Sequence, residues 1–171
     1  MIKRTMITKF NSSFEDVVDA FSNKEKLSEM KFEKFKFLNI IETSTNQKVK
    51  TFKRKFILDK EKLNIPDWIA GKIKPEYLEW EEFVAYDTEL KTGIFSITPN
   101  IPLEYSQKFL CHGEFSFNLN SNKTTERMVS LSIDVKAPFL IKGLIETEMM
   151  NQIWLLLHHE KEVINDFFAS N

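Results

Sequence analysis

The sequence predicts an α+β fold: a curved antiparallel β-sheet wrapped around a long C-terminal α-helix, with two short helices after strand 1. Three observations carry this. From Pro138 to Phe168 no further proline occurs, and Ile145, Met149, Ile153, Leu156, Leu157, Val163, Ile164 and Phe167 fall on one broad stripe at helical spacing. A helix of about thirty residues would be about 45 Å long, enough to cross most of the molecule. Most of the chain before it alternates apolar and polar residues in runs joined by short turns, which is the pattern of antiparallel strands. One helix segregated to one face of such a sheet makes the class α+β.

Taken in order, Ile2 to Phe10 reads as a strand with no clean apolar face. Asn11-Ser12-Ser13 offers helix caps, and Ser12 or Ser13 followed by Glu15 and Asp16 opens a short helix carrying Phe14, Val17, Val18 and Phe21. Asn23 caps a second short helix, Lys24 to Met30, with Leu27 and Met30 inward. From Phe32 the period becomes two, through Phe35, Phe37 and Ile41 to about Thr43, and Ser44-Thr45-Asn46-Gln47 is the turn. On the return strand, Val49 to Asp59, Phe52, Phe56 and Leu58 share a face with Arg54, while Thr51, Lys53 and Lys55 face solvent. Leu63 to Ile73 reads as a short inserted helix with Pro66 in its first turn.

Tyr77 to Tyr86 is the next strand, with Trp80, Glu82, Val84 and Tyr86 on one side. Asp87-Thr88-Glu89 leads to a strand over Thr92 to Thr98, which Pro99-Asn100-Ile101-Pro102 breaks. Phe109 to Leu119 alternates through Cys111, Gly113, Phe115 and Phe117, and Asn118 to Asn122 makes a turn. Thr124 to Lys136 sets Val129, Leu131, Ile133 and Val135 against Ser130, Ser132 and Asp134. No repeat, low-complexity run or linker interrupts the order, so residues 1–171 are expected to form one domain.

Composition narrows the function. The formal net charge of -1 and pI near 6.3 give no footprint for nucleic acid. Four glycines leave no phosphate loop or dinucleotide fingerprint, so no cofactor is expected. Cys111 is the lone cysteine, which rules out an internal disulfide. The start, MIKRTMITKFNSS, lacks the apolar core of a signal peptide, and no apolar run is long enough to cross a bilayer, so a cytoplasmic setting is the default. Sixteen phenylalanines supply either a thick core or a greasy cavity.

With its residues placed, the chain resembles the START-like (SRPBCC, helix-grip) superfamily over nearly its whole length. Gly143-Leu144-Ile145-Glu146, opening the last helix, is similar to an uncharacterised bacterial START-like family. Ile65-Pro66-Asp67-Trp68-Ile69, Trp80-Glu81-Glu82 and Thr98-Pro99-Asn100 come in the order seen in the PRELI-like lipid-transfer family. The first helix lacks the Trp usual in that family, and Asn23-Lys24-Glu25 stands where a Pro-Asn-Pro segment is usual. The resemblance implies a hydrophobic-ligand cavity roofed by the C-terminal helix. Its members bind lipids, sterols or polyketides, and some are enzymes.

Candidate residues follow from their faces. Arg54 lies between Phe52 and Phe56 and is a candidate anchor for the head group of an amphipathic ligand; otherwise it pairs with Glu82 or Glu146, or sits at the sheet edge. Lys142 is a second candidate anchor, from the helix. Glu82, beside Trp80 and Val84, is either a cavity acid or the partner of Arg54. Lys142, Glu146 and Glu160 share the apolar side of the helix, which calls for pairing, snorkelling or a partly hydrated cavity. Phe95, Phe115, Phe117 and Met149 are the expected cavity lining, with a filled core as the competing reading. Trp68 is a candidate for gating or for transient membrane contact, against packing on the sheet rim. His158 and His159 are adjacent and point about 100° apart on a helix, so no metal site is expected. Cys111 is expected inward, as a small hydrophobe.

The function expected is binding or transport of a hydrophobic or amphipathic, lipid-like small molecule without catalysis. The alternatives are a cyclase or dehydratase using Glu82 or another cavity carboxylate as acid or base, or an interaction module with a filled cavity.

Overall fold

The computed structural model describes residues 1–32, 35–45, 48–59, 74–121 and 124–170. Strand β1 (Ile2–Phe10) is followed by helices α1 (Phe14–Ser22) and α2 (Lys24–Glu29). Strands β2 (Phe35–Thr45) and β3 (Val49–Leu58) come next, then a 3₁₀ turn (Pro75–Leu78), β4 (Glu79–Asp87) and β5 (Thr92–Pro99). A one-turn helix α3 (Leu103–Ser106) precedes β6 (Phe109–Ser121) and β7 (Thr124–Val135). Helix α4 (Phe139–Ala169) ends the chain. The seven strands form one antiparallel sheet in the order β1-β7-β6-β5-β4-β3-β2, so β1 closes against the last strand. Helix α4 packs on β1 and β7.

Local chemistry sets the boundaries. Ser13 caps α1 by accepting from the Asp16 N–H, and Asn23 caps α2 by accepting from the Glu25 and Lys26 N–H groups. In β1 the inner face becomes clean only at its end, where Met6, Thr8 and Phe10 are buried. Pro138 occupies the N-cap of α4. The inner line of α4 runs through Glu146, Met150, Glu160 and Ile164, all buried. Met150 is fully buried beside the expected stripe, because the helix meets the sheet on a slightly different meridian.

Several boundaries differ from the sequence reading. Strand β5 runs through Pro99, which pairs with Trp80 instead of breaking the strand. Tyr77 and Leu78 belong to the 3₁₀ turn that Pro75 opens, and the strand starts at Glu79. Two register shifts, at Phe37/Asn39 and Glu42/Ser44, let β2 run on to Thr45 and blur its alternation. The expected turn at Asn118–Asn122 is partly strand, since β6 continues to Ser121 across an irregularity at Leu119/Ser121. Pro102 starts the short α3, which has no apolar period to announce it. The expected inserted helix at Leu63–Ile73, Trp68 with it, and the turn residues Asn46 and Gln47 lie outside the described residues.

Two glycines shape the sheet's inner face. Gly93 on β5 faces Phe115 on β6, and Phe95 on β5 faces Gly113 on β6. A Cβ at Gly93 would stand 2.7 Å from the Ala85 carbonyl oxygen and from a Phe115 ring carbon. One at Gly113 would stand 2.5 Å from the Ser130 carbonyl oxygen and 2.6 Å from the Phe95 ring. Each ring therefore reaches over the glycine opposite, and Phe115 stacks on Tyr86 with centroids 6.0 Å apart.

The Ser130 oxygen is backbone and cannot yield, so Gly113→Ala is expected to destabilise the fold by about 1–3 kcal/mol. The midpoint of urea unfolding measures this; an unchanged midpoint would mean that the sheet relaxes freely at this pair.

Candidate ligand cavity

Between the inner face of the sheet and the middle of α4 lies a cavity of about 370 Å³. Its floor is Phe52, Arg54 and Phe56 of β3, Trp80, Glu82 and Tyr86 of β4, Phe95 of β5 and Phe115 and Phe117 of β6. Met149, Ile153, Leu156 and Glu160 of α4 form the roof, and Phe21 of α1 closes one side. The alternation of each strand sends these side chains inward, and the rings over Gly93 and Gly113 keep the floor low.

A charged cluster sits in this apolar wall. Arg54 donates from Nε to Glu82 Oε2 at 3.0 Å, and its Nη2 also meets that oxygen. Its Nη1 donates to the Phe21 carbonyl and to Glu160 Oε1, each at 3.4 Å. Arg127 of β7 donates from Nη1 to Glu160 Oε2 at 3.0 Å and from Nε to Thr8 Oγ1 at 3.4 Å. The Trp80 indole N–H donates to Glu82 Oε1 at 3.2 Å. Glu160 thus joins the roof to two strands on opposite limbs of the sheet. Both guanidiniums also lie over the Phe21 ring, Arg127 at 4.6 Å and Arg54 at 5.5 Å from its centroid.

The two arginines differ electrostatically. Burial disfavours the charge of Arg54, but Glu82 and Glu160 outweigh it, and its pKa rises. For Arg127 burial outweighs Glu160, and the pKa falls. Burial, helped by the charge of Asp87, pushes the Tyr86 phenol up to about 12, so it is neutral at physiological pH. Burial likewise pushes the Cys111 thiol up to about 12, with Glu82 adding to it; Cys111 packs with Leu131, Ile133 and Met150.

Seven of the nine residues singled out in the sequence line this one cavity: Arg54, Trp80, Glu82, Phe95, Phe115, Phe117 and Met149. Lys142 and Glu146 do not. They sit at the start of α4, where Lys142 donates to Asp134 at 2.7 Å and lies 3.6 Å from Glu146. Glu146 accepts the Val135 N–H at 3.0 Å, which holds its carboxyl below the usual range. Lys142 therefore ties the helix to β7 and stands outside the cavity lining. Arg127 escaped the sequence reading although it shares parity with Val129, Leu131 and Ile133, and that parity is the signal that finds it. His158 is exposed beside Glu162, and among the described residues no group of three or more His, Cys, Asp or Glu is placed to hold a metal. Among the same residues no helix is long and apolar enough to cross a membrane.

No family model matches the sequence, and a comparison with curated proteins finds no match. Solved structures do match. The Zhui aromatase/cyclase from Streptomyces sp. R1128 superposes with a TM-score of 0.59 at 9% identity, over 95% of this chain and 93% of its own. A START superfamily protein from Mycobacterium smegmatis gives 0.54 at 12% identity, over 94% and 96%. The fold is START-like. Ara h 8.0201 shares it too, with a TM-score of 0.58 at 11% identity over 99% of both chains. These superpositions establish the START-like helix-grip architecture, and a fold of this kind does not by itself fix a function.

Removing the shared anion leaves two buried cations facing each other. Glu160→Leu is therefore expected to cost about 3–5 kcal/mol, and its combination with Arg127→Met less than the sum of the two single changes. A double-mutant cycle by urea unfolding measures both, and strict additivity would rule out the coupling. The raised thiol pKa sets a second expectation: Cys111 does not react with a disulfide reagent at pH 8 until the protein unfolds. Fast labelling of the native protein would contradict it.

Proposed function

We propose that this START-like protein binds and carries a hydrophobic or amphipathic, lipid-like small molecule between the sheet and α4, without catalysing its conversion. The observation that carries this reading is an apolar cavity that two glycine–phenylalanine pairs keep open. A packed core would fill that space with side chains, because protein interiors reach near-crystalline density. The size lies at the lower end of small-molecule pockets. Glu82, the named candidate for acid–base work, has both oxygens engaged by Arg54 and Trp80, which favours a structural part for it.

The neutral fluorescent probe N-phenyl-1-naphthylamine is expected to bind with a blue-shifted emission, and Ile153→Trp, which fills the roof, to abolish that signal while leaving the unfolding midpoint little changed. Native mass spectrometry of freshly purified protein should show a bound mass that organic solvent removes. A protein that carries no such mass and does not bind the probe would overturn the carrier reading.

A further inference from the structure

One cation in the cavity wall has no counter-charge of its own. Lys50 lines the cavity from β3, half-buried, on the strand face that carries Phe52, Arg54 and Phe56. The register of β3 against β4 runs unbroken from Val49 to Ile57, so no bulge turns Lys50 off that face. Among the described residues its ammonium makes no hydrogen bond or ion pair. The carboxylate whose charge it feels is Asp19 of α1, and Asp19 is already held by Lys26 at 2.6 Å and by the Asn23 amide at 3.3 Å.

The other charges of the lining are matched or remote. Arg54 and Arg127 face Glu82 and Glu160, and Arg54 lies about 13 Å along the strand from Lys50. Glu79 pairs with Lys55 and stands opposite Ile57, at the other end of β3. Glu148 accepts from Gln152 and lies about 18 Å before Glu160 along α4. That stretch of the helix packs with Cys111 and Ile133 through Met149 and Ile153. Phe52 and Tyr86, the strand neighbours of Lys50, pack instead with Val163 and Ile164. The α1 end of an apolar chamber therefore carries one uncompensated positive charge. A lysine ammonium is a compact point charge, which a single negative charge matches. A phosphate near its dianionic form would bring a surplus into a wall that already holds Glu82 and Glu160.

We infer that the ligand is an apolar molecule ending in a carboxylate, which Lys50 anchors at the α1 end while the body lies over Phe52 toward Phe95 and Ile153. This rests on the ligand-binding reading of the cavity and names the charge of what fills it.

Four probes sharing a decyl chain test it at pH 8 by displacement of N-phenyl-1-naphthylamine: decanoate, 1-decanol, decyl phosphate and decylammonium. Decanoate is expected to bind about five- to tenfold more tightly than decanol, and decylammonium most weakly. Lys50→Met keeps the reach of the side chain and removes its charge. It is expected to lower decanoate affinity about five- to tenfold and to leave decanol affinity and the unfolding midpoint little changed, while Lys50→Arg keeps the preference for decanoate. Equal binding of decanoate and decanol, or a preference for decanoate that survives in Lys50→Met, would overturn the anchor and leave the carrier reading standing. Tightest binding by decyl phosphate would overturn the carboxylate in favour of a phosphate head. Tightest binding by decylammonium would overturn the anionic head altogether. Binding by none of the four, nor by N-phenyl-1-naphthylamine, would remove both readings.

Discussion

Glu160 holds the molecule together at the point where it is hardest to do so. It is a charged residue near the middle of a helix face that otherwise packs apolar side chains, and it accepts from Arg54 on β3 and Arg127 on β7. Those strands lie on opposite limbs of the curved sheet, with three strands between them. A carboxylate has two oxygens and lone pairs to serve both, which no neutral side chain could match. The pairing fixes the roof relative to both limbs, and so fixes the width of the space beneath it. Buried ion clusters of this kind contribute little net stability compared with well-packed apolar residues. Their value here is geometric.

The same arrangement sets the cavity's chemistry. Its walls are mostly rings and aliphatic side chains, with the Arg54, Glu82, Arg127 and Glu160 ion cluster set among them. Each nitrogen of Arg54 donates within the protein, and Glu160 holds Arg127 as well.

Much of this was legible in the sequence, for identifiable reasons. Arg54 could be placed inside because Phe52 and Phe56 flank it at period two, and Glu82 because Trp80 and Val84 do the same. The long helix announced itself by the lack of proline after Pro138. Arg127 was hidden because the alternation of β7 is obvious only from Val129 onward, and the strand's first inward residues are Thr125 and Arg127. The partner of Lys142 could not be read, because helical phase says which face a side chain shares but not which loop or strand it meets; Asp134, eight residues earlier, is that partner. The bulges of β2 and the one-turn α3 arise from tertiary fit, which leaves no periodic mark.

The crossed pairs Gly93–Phe115 and Phe95–Gly113 have a consequence for how such a protein can diverge. The rings rest on backbone, so the depth of the floor is set by two positions that tolerate only hydrogen. The tiles laid over them are free to vary. Exchanging a phenyl tile for a smaller one would deepen the chamber locally and leave the strands in register. Ligand preference can then drift by retiling, one residue at a time, while the masonry beneath stays unchanged.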